Sequence, residues 1–109
     1  MQHLSDLIKA FDASASDPGA IKSWWEHTNP ADRDLVAVAE HIGAEYLSGR
    51  LSYLQASDAM NQLMPLAGFE AAPLRFWEYY IAFEDAETLE DPDPQARIAV
   101  QAVARQGAA

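Results

Sequence analysis

Apolar residues recur along this chain at helical spacing, and nowhere in clean alternation with polar ones. Leu4, Leu7, Ile8 and Phe11 fall at i, i+3, i+4 and i+7, which predicts a first helix over about residues 2–11. The polar stretch from Asp12 to Asp17 is read as a linker. A short second helix is expected to open at Pro18 with Asp17 as its cap, carrying Ile21, Trp24 and Trp25.

The third predicted helix has Asn29 as its cap and Pro30 in its first position, with Asp32 and Asp34 at the positive end of the dipole. Leu35, Ala39, Ile42 and Tyr46 form its apolar stripe, and Gly49 supplies a left-handed stop. In the fourth, Ser52 and Gln55 match a capping box, and Tyr53, Ala56, Met60, Leu63 and Met64 share one face. The short link between the helices near 30–48 and 52–66 predicts an antiparallel hairpin. A fifth helix is expected over about residues 73–89. The break Asp91-Pro92-Asp93-Pro94 follows, and a sixth helix starts at Pro94, capped by Asp93, with Ile98, Ala102 and Val103 on its apolar side. The fold class is therefore all-α: a compact bundle of five to six helices, in one domain over residues 1–109.

Composition narrows the chemistry. Among 109 residues there are 7 Lys+Arg against 17 Asp+Glu, a net charge of −10, and no cysteine. The missing cysteines exclude a disulfide scaffold, a zinc ribbon and a thiol nucleophile, and favour a reducing cytoplasm. The start of the chain has no basic stretch leading into an apolar run, so no signal peptide is expected. No stretch approaches the ~20 apolar residues that span a bilayer. The acidity opposes nucleic-acid backbones and anionic membranes, and it favours a basic protein as partner.

Catalytic and metal-binding patterns are missing. There is no Gly-x-Ser-x-Gly, no phosphate-cradling glycine loop and no His-Glu-x-x-His, so the chain is not read as an enzyme. The acidic stretch 84–93 contains no glycine, which a calcium loop requires, and Glu26, Glu40 and Glu45 lack a histidine three residues on. No metal or cofactor is expected. His3, His27 and His41 read as surface or capping residues, with His41 and Glu45 an i,i+4 pair. Arg33, Arg50, Arg75, Arg97 and Arg105 are dispersed and read as partners of neighbouring acids.

Two features stand out. Phe76, Trp77, Tyr79, Tyr80, Ile81 and Phe83 crowd into one helix, whose apolar side chains cover roughly 220° of its circumference, against the ~100° or more of an ordinary surface helix. Such a helix is either the centre of the bundle or buried on two sides, one of them against a partner. Seven acids with no intervening base then lie between Arg75 and Arg97, at the end of that helix where the dipole prefers cations.

The expected partner-binding residues are Trp77, Tyr79, Glu84, Asp85, Glu87 and Glu90: aromatics as anchors, acids to steer a basic surface. In size, charge and helical class the chain resembles small bacterial immunity proteins that neutralise nuclease toxins, a resemblance of class that rests on no motif. It implies a protein-binding inhibitor of immunity or antitoxin type. The alternatives are a structural or adaptor domain, homodimeric through the aromatic helix, and a small-molecule binder with a ligand near Trp24, Trp25 or the Met60/Met64 face.

Overall fold

The computed structural model describes residues 19–108, and the helix and linker expected before Gly19 lie outside them. Five helices follow: α1 (Gly19–Thr28), α2 (Asp32–Leu47), α3 (Tyr53–Ala67), α4 (Leu74–Glu84) and α5 (Pro92–Ala108). There is no strand among the described residues, and none of their helices is long and apolar enough to cross a membrane. The fold is an all-α bundle, as the periodicity predicts.

Helix boundaries follow local chemistry, with three departures from expectation. Asn29 does not cap α2. It takes a left-handed conformation (φ 48°) and closes α1 instead, its N–H donating to the Trp25 carbonyl at 2.9 Å. Asn tolerates that conformation better than most residues, which suits it to stop a helix. The start of α2 moves to Asp32, where the Asp34 carboxylate reaches back to accept from the Ala31 N–H at 3.0 Å.

The fifth predicted helix ends at Glu84, five residues early. Beyond it the chain tightens into i→i−3 turns, with the Glu87 N–H on the Glu84 carbonyl and the Leu89 N–H on that of Ala86, both 3.1 Å. Carboxylates gathered at a negative helix end oppose further extension. The last helix starts at Pro92 and not at Pro94: the earlier proline suits the first helical position, where no N–H is needed. Asp93 is thus inside the first turn, and its carboxylate is committed elsewhere.

The expected Asp17 cap and Pro18 start lie outside the described residues. The apolar side of the last helix is also displaced: Ile98 is 65% exposed and Ala102 is exposed, while Ala96 and Val100, four residues apart, face the core. At the hairpin the signals act as expected. The Ser52 hydroxyl accepts from the Gln55 N–H (3.1 Å) while the Gln55 side chain accepts from the Ser52 N–H (2.9 Å), a complete capping box. Gly49 (φ 86°) lies in the turn that brings α3 back against α2.

The core draws on four helices. Leu35, Val38, Ala39, Ile42 and Tyr46 come from α2, and Tyr53, Ala56, Ala59, Met60, Leu63 and Met64 from α3. Phe76, Tyr79, Ala82 and Phe83 come from α4, and Ala96 and Val100 from α5. Helix α4 packs against α2, α3 and α5, while α1 covers α3. At the centre, Tyr46 meets the Phe83 ring edge-on at 5.2 Å and the Tyr53 ring at 6.4 Å, and the Tyr53 hydroxyl donates to the Phe83 carbonyl at 2.7 Å.

Helix α5 brings only small apolar side chains to this core and is pinned by polar groups. The Tyr46 hydroxyl donates to the Asp93 carboxylate at 2.7 Å. Arg97 lies 5.0 Å over the Tyr46 ring, pairs with Asp93 at 3.0 Å and donates to the Leu47 carbonyl at 3.3 Å. Arg75 of α4 lies 5.0 Å over the Tyr79 ring and donates to the Val103 carbonyl at 2.6 Å. The arginines that read as scattered partners of surface acids thus include two that fasten one helix to its neighbours.

Two outcomes follow for stability. A Cβ added at Gly43 would come 2.6 Å from Tyr79 Cε1, and that buried ring is held between α2 and Arg75. Overpacking of about 1–3 kcal/mol outweighs the ~1 kcal/mol of helix propensity gained, so Gly43→Ala should lower the urea midpoint despite being a helix-favouring change. Tyr46→Phe should cost about 1–3 kcal/mol at neutral pH. The loss should shrink as acid protonates the Asp93 carboxylate that accepts this bond.

Candidate protein-binding face

Helix α4 presents more apolar bulk than three neighbours absorb. Its buried side takes Phe76, Tyr79, Ala82 and Phe83. Its outer side leaves Leu74 76% and Ile81 45% exposed, with Trp77 half-buried between them at i+3 and i+7 from Leu74.

Phe69, 53% exposed in the link from α3, folds back onto this side. Its ring is 6.0 Å from Trp77 and 6.4 Å from Tyr80, and Trp77 meets Tyr80 at 5.6 Å with the ring planes 88° apart. Edge-to-face packing of this kind is worth about 0.5–1.5 kcal/mol per pair beyond area burial. It holds the three rings as one platform that remains partly open to solvent.

Trp77 is half-buried on the outer side. Tyr79 is 2% exposed, packed against Gly43 and beneath Arg75, so it belongs to the core. Two helical residues separated by one other point about 200° apart, so Trp77 and Tyr79 cannot share a face. Tyr80, one position further on, takes the place assigned to Tyr79. Leu74 and Ile81 could have been found from their i−3 and i+4 spacing to Trp77. Phe69 could not, because it lies in a turn outside any period.

The acids border this platform at the C-terminal end of α4. Glu84 is one helical turn beyond Tyr80 and half-buried, whereas Asp85, Glu87 and Glu90 are exposed. Burial raises the Glu84 carboxyl above its ordinary range, and the neighbouring charges of Glu87 and Asp85 add to the effect. The Tyr80 phenol is raised by burial first, then by Glu84 and Glu87. Burial raises the Tyr53 phenol as well, and the same two carboxylates add to it. Glu84, Asp85 and Glu87 therefore form one electrostatic group at the edge of the rings, with Glu90 three residues farther along the link. Of the ion pairs formed among the described residues, none involves Glu84 or Glu87.

Other candidate chemistry is put to local use. The His27 ring is bonded to the Ser23 carbonyl (2.7 Å), and His41 pairs with Glu45 at 3.8 Å. Met60 and Met64 are fully enclosed in the core. Among the described residues, no group of three or more His, Asp or Glu side chains is placed to hold a metal ion. No protein-family model, curated protein or solved structure matches the chain.

The two shifted carboxylates act on stability with opposite sign. Folded Glu84 holds its proton to higher pH than the unfolded chain does. Its ionisation therefore weakens the fold as pH rises through the ordinary carboxylate range and above. Asp93 is held low by the Tyr46 hydroxyl and then by Arg97, so its contribution is complete above the ordinary Asp range and disappears as pH falls through its lowered value. Urea midpoints should accordingly rise as pH falls from neutrality into the ordinary carboxylate range and drop as it falls further through the lowered range of Asp93. Glu84→Gln should raise stability at pH 7.5 by about 0.2–0.5 kcal/mol, the scale of a like-charge pair one turn apart, and flatten the upper slope. An equally steep slope in the variant would place the effect on other acids.

Proposed function

We propose that this chain is a protein-binding domain of the immunity or antitoxin type, which engages a basic partner protein through the outer side of α4. The observation that supports this is the half-open platform of Phe69, Trp77 and Tyr80, flanked by exposed Leu74 and Ile81, next to carboxylates that no cation of the described chain neutralises. Rigid aromatic anchors carry affinity in protein interfaces, and flanking charge sets encounter rate and partner choice. Trp77 and Tyr80 take the anchor role. Glu84 and Glu87 form the inner charge, and Asp85 and Glu90 contribute steering from the rim.

Affinity capture from the source cell at low salt tests this. The retained protein should be basic and should be released as salt is raised. Trp77→Ser and Ile81→Asp should each abolish capture, and Gln at 84, 85, 87 and 90 together should weaken it. Leu54→Ser, at a position 76% exposed on α3, should leave it intact. Capture indifferent to all the α4 changes would defeat the proposal. A particle that doubles in mass alone, and tightens with added salt as acids near a two-fold axis are screened, would point to the homodimer instead.

A further inference from the structure

The four tyrosines differ in what lies against their rings. Tyr46 carries Arg97 over its face at 5.0 Å, and that guanidinium also meets the Asp93 carboxylate at 3.0 Å. Tyr79 carries Arg75 at the same 5.0 Å, with Glu40 and Glu78 at 3.8 and 3.9 Å from the guanidinium. Tyr53 is enclosed by the core and donates to a backbone carbonyl. Tyr80 is half-buried at the surface, with Glu84 one turn on and Glu87 close enough to act on its phenol. It has a ring with two carboxylates in its neighbourhood and, among the described residues, no guanidinium over it. Arg75 and Arg97 are engaged by their own tyrosines, and Arg50 by Glu45.

We infer that the platform of Phe69, Trp77 and Tyr80 takes an apolar segment of the partner carrying an arginine, whose guanidinium lies on the Tyr80 ring and donates to Glu84 and Glu87. This rests on the protein-binding reading of the same face and names the partner residue that it recognises. Charge complementarity selects the occupant: the carboxylates crowd one another beside a half-open ring, and a cation there relieves both. Arginine fits better than lysine. Its planar, weakly hydrated guanidinium stacks on a ring while its edge donates to two acceptors, whereas an ammonium is a compact, strongly hydrated point charge.

Three synthetic amphipathic peptides test the inference, identical except that one central position is arginine, lysine or citrulline, with leucines on the apolar side. Binding is followed by titration calorimetry and by NMR of the Tyr80 ring and the Glu84 carboxyl. The arginine peptide should bind about tenfold or more tighter than the citrulline peptide, with lysine clearly weaker than arginine. It should also draw the Glu84 titration downward. Glu84→Gln with Glu87→Gln, which removes repulsion and leaves the core untouched, should level the three affinities. Equal binding of arginine and citrulline, or of arginine and lysine, would overturn the inference while the apolar face still bound. Loss of all three peptides in Trp77→Ser tests the face itself, and no binding by any peptide to the unmodified protein would remove the face and the inference together. A dimer of the protein alone that Glu84→Gln with Glu87→Gln dissolves would transfer the arginine to a second copy and overturn the assignment to a partner.

Discussion

Tyr46 is the residue through which four helices are held in one arrangement. It leaves α2 near its C-terminal end, its ring meets Tyr53 of α3 and Phe83 of α4 edge-on, and its hydroxyl reaches Asp93 of α5. A phenylalanine could satisfy the first two contacts and a polar residue only the last. Tyrosine does both because one end of the ring is apolar and the other donates a hydrogen bond. Buried hydroxyls are costly without partners, so the position of the first turn of α5 is fixed by where that donor points.

The surplus on α4 follows from the same geometry. Helix α5 approaches through small side chains, Ala96 and Val100, and through polar pins, so it takes up little aromatic bulk. Phe76, Tyr79 and Phe83 fill the space between α2, α3 and α5. The rings on the far side of the helix touch the core along one edge and otherwise lean on Phe69 and each other among the described residues. The exposed platform is thus a product of how the bundle divides an aromatic-rich helix, with acids at the end where the helix already carries negative charge.

Among the described residues, helix existence and the buried stripes of α2 and α3 were legible because they depend on periodicity, whereas on α5 the bulkier Ile98 faces outward and the smaller Ala96 and Val100 are buried. Leu35, Ala39, Ile42 and Tyr46 share a face in any α-helix at that spacing, and Ser52 with Gln55 closes a capping box from local chemistry alone. Boundaries depended on competition between neighbours: Asn29 served the helix before it, and Pro92 preceded Pro94. The platform was half legible. Trp77 was identifiable as a surface aromatic, Tyr79 was placed outside where its neighbour Tyr80 lies, and Phe69 reaches the platform only through the course of a turn. The arginine pins were invisible because their partners lie 28 and 50 residues away and are backbone carbonyls, which every residue possesses.

Those sequence separations bear on how the protein comes into being. The groups that fasten α5 wait on the polypeptide long before their counterparts exist: Tyr46 precedes Asp93 by 47 residues. On the ribosome, α2, α3 and α4 can gather around Phe83 while the Tyr46 hydroxyl and the Arg75 guanidinium are still hydrated. Until the final segment emerges, the nascent bundle shows the aqueous surroundings two unprotected sides of its aromatic helix. Among the described residues, α5 closes only one of them.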